Sequence, residues 1–167
     1  MDAQTTGMMD TKEVNIGLDQ EGRKHVADAL SGFLASTYTL YMKALYYHWN
    51  VTGPHFHSLH ELFEQHYEDL HEAGDELAER IRALGHFTPG TFQAYAEMSS
   101  VKEDDVLPKD SEYMVKNLLK GHETCSREAR KVLKIAEEAE DEVTVDMMVA
   151  RMSTHEEAAW MLRSTIE

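Results

Sequence analysis

Between positions 55 and 79 the sequence reads HFHSLHELFEQHYEDLHEAGDELAE, a run that crowds histidines and carboxylates together. Imidazole nitrogen and carboxylate oxygen are the donors that transition metals take from proteins. Two pairs stand out by spacing. His60 and Glu64 are four apart, and so are Asp75 and Glu79, so in a helix each pair lies on one face, a turn apart. The step from His60 to Asp75, at 100° per residue, returns to within about 60° of its start, so both pairs face one side. Along the axis they are nonetheless about 22 Å apart at 1.5 Å per residue. Bonds from these ligands to a metal are only about 2.0–2.2 Å long. One helix cannot bring both pairs to one ion. Two copies of it can, packed antiparallel about a two-fold axis, so that the His60 end of one meets the Asp75 end of the other and the contact forms twice. Gly74, costly by about 1 kcal/mol inside a helix, fits a close backbone approach there. The blander account is that Glu64, Asp75 and Glu79 are solvated surface acids, with Glu76 and Arg80 as a helix ion pair.

The elements that must position these residues are legible in the hydrophobic pattern. From Glu21 to about Trp49, apolar residues at Val26, Leu30, Phe33, Leu34, Leu40, Tyr41, Ala44 and Tyr47 make the stripe of a long helix. Asn50-Val-Thr-Gly-Pro54 ends it. Ser58 and Glu61 have the spacing of a capping box opening a second helix, whose Phe63, Leu70, Leu77 and Leu84 recur every seventh residue before Gly85 closes it. Thr91 to Met98 reads as a short helix, and 99–109 as an acidic connector ending near Pro108. Asp110 or Ser111 caps a third long helix through Met114, Leu118, Leu119, Val132, Leu133 and Ile135. The pattern lapses at EEAEDEVT, and a fourth helix follows from about Val143 to Ile166. Four long helices with a long link between the second and third predict an all-α, ferritin-like four-helix bundle, the link carrying a short helix. Residues 1–17, without periodicity, read as a flexible tail, and 18–167 as a single bundle domain.

Bulk properties narrow the function. A net charge of −15 excludes a general nucleic-acid binder and suits attraction of cations. The N-terminus lacks the pattern of a signal peptide, and the most apolar stretch, 30–49, is too polar to span a membrane. The single cysteine, Cys125, forms no internal disulfide and reads as a buried thiol, consistent with a cytoplasmic protein. The ten methionines read mostly as core packing. A di-iron centre inside a bundle uses Glu-x-x-His on two helices. Here Glu68 to His71 is the one such match, so that ordinary intra-bundle centre is not expected.

The stretch His48-Trp49-Asn50-x-x-Gly53-x-x-Phe56-x-x-x-His60-Glu61-x-x-Glu64, then Asp75-x-x-x-Glu79-Arg80, resembles the signature of the Dps family, mini-ferritins that protect DNA in starvation and oxidative stress. The likeness runs from about residue 20 onward, through AERIRALG at 78–85 and Trp160 near the end. It implies a hollow dodecamer with ferroxidase sites between two-fold partners. His48, His60 and Glu64 would come from one chain, Asp75 and Glu79 from the other, and Trp49 would lie beside the site to intercept stray oxidising equivalents. The family often has Asp where Glu64 stands. The implied chemistry is oxidation of Fe(II), two ions per site, preferably by hydrogen peroxide, with ferric mineral stored inside. Zinc or other divalent metals would compete. Glu140, Asp141, Glu142 and Asp146 lie where family members form an acidic three-fold pore, although acids also favour a helix N-terminus for its dipole alone.

His55, His57, His66 and His71 read as exposed histidines on an acidic helix. Some family members bind DNA through a lysine-rich tail. The tail here carries Lys12 against Asp2, Asp10 and Glu13, so direct DNA binding is not expected and protection would be chemical. The rival readings are a DNA-condensing or signalling shell with a vestigial metal site, and a plain helical oligomer whose acids serve solubility.

Overall fold

The structure, a computed structural model, describes residues 14–106 and 110–167. Every regular element among them is helical: α1 Gln20–Asn50, α2 Phe56–Ala83, α3 Phe92–Met98, α4 Ser111–Glu138 and α5 Glu142–Ser164. The expected tail lies mostly outside the described residues, with Lys12, as does Pro108 of the connector. None of the helices is long and apolar enough to cross a membrane.

α1, α2, α4 and α5 form the bundle. α1 packs on α2 and α4, α4 packs on α5, and α3 lies across α1. The heptad residues Phe63, Leu70, Leu77 and Leu84 are all fully buried, against Phe33, Leu34, Leu40, Leu118 and Met148 from the other three helices. Burying each such side chain contributes about 1.5–3 kcal/mol. α2 is tied to α5 by two ion pairs, Arg80 to Asp141 at 2.6 Å and the two-pronged Arg151 to Asp69 at 2.7 and 3.0 Å. Arg80 therefore reaches across the bundle and does not pair with Glu76 on its own helix.

The helix ends follow local chemistry. Asp19 caps α1 by accepting from the Gly22 amide, and Asp110 caps α4 by accepting from the Tyr113 amide at 2.7 Å. The Ser58–Glu61 capping box does not form. α2 starts at Phe56, because the turn at Gly53, with φ of +105°, already reverses the chain and lets the Phe56 amide bond to the Gly53 carbonyl. The Ser58 hydroxyl donates back to the His55 carbonyl at 3.1 Å, and Glu61 faces His57 at 3.3 Å. At the other end Gly85, with φ of +93°, closes α2 as expected, its amide bonding to Arg82 and the His86 amide to Ile81. The same closure ends α4 with a glutamate in the left-handed position, Glu140 at φ of +56°.

Gly74 has a different explanation from the one its position suggests. A Cβ there would sit 2.9 Å from the Tyr38 ring of the same chain, so the glycine makes room for α1. Of the methionines, Met114 and Met148 are core residues, whereas Met42, Met98 and Met161 are exposed, so methionine as packing holds only in part. Cys125 is a fully buried free thiol.

Candidate metal centre

α1 ends where α2 begins, and the antiparallel return places His48 beside His60. The two imidazoles stack with centroids 3.8 Å apart and planes 19° from parallel. Each ring is locked by the other's backbone. Nδ1 of His48 lies 2.9 Å from the His60 carbonyl, and Nδ1 of His60 lies 2.9 Å from the His48 carbonyl. A carbonyl only accepts, so both Nδ1 atoms carry a proton, and a neutral ring so held has its lone pair on Nε2. Fixing a ring through its second nitrogen is how proteins orient histidine toward a metal. Phe56 stacks on the far side of His60 at 5.1 Å, and Tyr67 meets His48 edge-on at 5.2 Å. The Tyr67 hydroxyl donates to Glu64 Oε1 at 3.1 Å, so the ring that meets His48 also restrains that carboxylate. Burial and the Glu64 carboxylate raise the Tyr67 phenol above its ordinary value, so it stays a donor.

Thus the fold brings His48 and His60 together, with Glu64 one turn further along α2 and restrained by Tyr67. It does not bring Asp75 and Glu79 to them. These stand exposed further along α2, with no hydrogen bond or salt bridge to another of the described residues. Among the described residues, no three His, Cys, Asp or Glu side chains of one chain gather closely enough to hold an ion. Trp49, next to His48 in sequence, is 61% exposed and lines a shallow cleft with Lys43 and Glu103 instead of packing in the core.

The acids at the start of α5 separate into two kinds. Glu142 and Asp146 are exposed. Asp141 is not available to line a pore: it is 2% exposed, caps α5 through the Thr144 amide, and is paired to Arg80. Burial alone would raise its carboxyl, but hydrogen bonds from Arg80 and Thr144 outweigh that and hold it below the usual range.

Sequence reasoning missed two groups. Tyr67 and Phe56 brace the imidazole pair, and nothing in their spacing marks that role. His66 is buried and not exposed, against His122 at a centroid distance of 4.7 Å, and His122 in turn bonds to His155. A signal was present, since His66 falls three residues after Phe63 and four before Leu70, on the apolar stripe of α2.

A family profile described as a ferritin-like domain matches residues 27–167. An uncharacterised low temperature-induced protein of Nostoc is 42% identical over 92% of this chain and 87% of its own length. The DNA protection during starvation protein 2 of Bacillus anthracis is 36% identical over 84% of this chain and 96% of its own. Among solved structures, the DPS protein of Vibrio cholerae O1 superposes with a TM-score of 0.87 at 32% identity, covering all of both chains. That protein is described as a member of a broad superfamily of ferritin-like diiron-carboxylate proteins. The fold and these matches define the class as ferritin-like. Within that class, the chain belongs to the Dps family.

Proposed function

We propose that this chain is the subunit of an iron-oxidising and iron-storing shell, a hollow dodecamer whose oxidation sites form between two-fold partners. The observation that carries the reading is the reciprocal lock of His48 and His60, which prepares two imidazole lone pairs beside Glu64 and leaves the set incomplete within one chain. Asp75 and Glu79 of a second copy complete it, because antiparallel packing of α2 on α2 brings the far end of one helix to the near end of the other. The domain comprises residues 18–167, with 1–17 as an appendage.

The donor set suits the substrate. Imidazole retains Fe(II), and hard carboxylate oxygens favour the Fe(III) product. Two iron ions side by side give one electron each to one molecule of hydrogen peroxide. The O–O bond breaks, two protons are taken up, and two waters leave with no radical released. The roles of this chain's residues are to hold both ions at once, through Nε2 of His48 and His60 and the carboxylates of Glu64, Asp75 and Glu79. Tyr67 restrains Glu64 meanwhile. Trp49, exposed at the end of α1, is placed to lose an electron to any stray oxidant. Zinc, with similar ligand preferences, would compete for the site. Glu142 and Asp146, exposed at the start of α5, are the acids available to draw Fe(II) through a three-fold pore. Protection of DNA is then chemical, by removing iron and peroxide together in the cytoplasm.

The test is an anaerobic load of Fe(II) followed by peroxide, with ferric absorbance followed in the presence of a spin trap. The reading expects about two irons oxidised per peroxide with no trapped radical. Oxidation no cleaner than that of free iron contradicts it, as does an unchanged rate in His60→Ala or Asp75→Ala.

A further inference from the structure

Inside the bundle three imidazoles meet, one of them His66 of α2, two residues after Glu64. His122 of α4 and His155 of α5 are 1% and 0% exposed, and their Nδ1 atoms lie 3.0 Å apart. One of them must donate and the other accept, so the pair holds together only while at least one ring is neutral. The Nε2 atoms of both are buried with no hydrogen-bond partner. An unsatisfied buried polar atom costs about 1–3 kcal/mol and calls for a reason. Plain packing is a poor one, since Leu or Phe would fill the space without that cost.

The surroundings oppose a positive charge. α1 contributes the Phe33 ring, edge-on to His155 at 6.1 Å. α2 contributes His66, against His122, and Asp69, whose carboxylate is engaged by both arms of Arg151. Arg151 itself comes from α5 and is 7% exposed. Around the mouth of the shallow cleft that reaches His155, Glu123 and Arg127 of α4 face Glu156 and Arg163 of α5, in balanced pairs of sign. The nearest fixed charge that is buried is thus a cation whose counter-ion is shared.

We propose that the His122–His155 pair is an acid-sensitive latch, which holds α4 against α5 at neutral pH and releases them when the medium acidifies. The second proton removes the acceptor, breaks the hydrogen bond and puts two cations in contact beside Arg151. Burial, then the neighbouring Arg151, lowers His155 to about 3, and burial, then His66 and His155, lowers His122 well below the ordinary value. In the unfolded chain both titrate near 6.5. The folded pair therefore remains neutral where the unfolded chain takes up protons. Its contribution is full above about pH 7 and is lost as the pH falls below about 6.5. The latch concerns the subunit's own fold and does not depend on iron oxidation.

The experiment is urea unfolding of the full-length protein at a series of pH values between 7.5 and 5, with wild type, His122→Leu and His155→Phe compared. Proton uptake on unfolding by His122, His155 and the buried His66, whose imidazole burial lowers to about 4, raises the unfolding equilibrium constant by up to about tenfold per pH unit for each histidine. Each single variant is expected to lower that slope by about tenfold while remaining folded at pH 7.5. An identical slope in wild type and variants overturns the proposal. Should either variant not fold, proton uptake by wild type on unfolding at pH 5.5 decides. More than two protons per chain in all, counting the one that His66 supplies, supports the latch, and two or fewer contradict it.

Discussion

At the scale of single residues, the decisive feature is the way two side chains orient each other through the main chain. Spacing shows that His60 and Glu64 share a helix face, but the bond from His60 Nδ1 to the carbonyl of His48 spans twelve positions and exists only after α1 and α2 dock. Losing either ring would remove one proposed ligand and the stacking contact, while the backbone carbonyl that holds the other ring's Nδ1 stays in place. His48→Ala is therefore expected to slow peroxide-driven iron oxidation by more than the roughly 10–100-fold typical of losing an orienting contact alone, measured by stopped-flow ferric absorbance. A loss of less than about tenfold would mean that the stacked pair is packing. Gly74 teaches the converse. Its place on the ligand-bearing helix suggests an inter-chain role, whereas the Tyr38 ring fills the space where its Cβ would stand. Gly74→Ala is expected to cost about 1–3 kcal/mol in urea unfolding, through displacement of Tyr38.

At the scale of elements, the four long helices are legible because heptad and 3.6-residue patterns report burial directly. Their ends are less so. The Ser58–Glu61 signature is real chemistry overruled by an earlier turn, since Gly53 reverses the chain first. The acidic run at 140–146 likewise reads as one feature but serves two ends of structure. Glu140 closes α4 in a left-handed conformation that glycine adopts freely, so Glu140→Gly is expected to raise stability by about 0.5–1 kcal/mol, read from the denaturation midpoint. Asp141 caps α5 and neutralises the half-buried Arg80. Asp141→Ala leaves that guanidinium unpaired and is expected to cost about 3–5 kcal/mol. Asp146→Asn, on the exposed side, should stay within about 0.5 kcal/mol while slowing iron uptake. Equal stability losses in the two variants would contradict this division. The depressed Asp141 carboxyl adds stability that is present above about pH 4 and is lost as the pH falls further.

At the scale of the whole molecule, sequence and fold agree on class because composition, element count and the long second connection all reflect one topology. That the proposed site would be shared follows from arithmetic, since 22 Å of helix cannot be folded back on itself. What the chain buries at its centre is not, because a lone histidine on an apolar stripe gives no hint that two others will meet it. The net charge of −15 per chain governs encounters with polyanions. In a gel-shift assay at physiological salt, the assembled protein is expected to leave plasmid DNA unretarded, and retardation there would contradict the chemical account of protection. The central claim, that each oxidation site is built from two chains, has a direct test in complementation. His60→Ala and Asp75→Ala chains, each inactive alone, are dissociated, mixed and reassembled, and peroxide-driven iron oxidation is measured. In a mixed dimer one site inherits both lesions and the other neither, so random pairing is expected to restore about a quarter of the wild-type rate. No recovery on mixing, in properly reassembled shells, would contradict the claim and place the whole site within one chain.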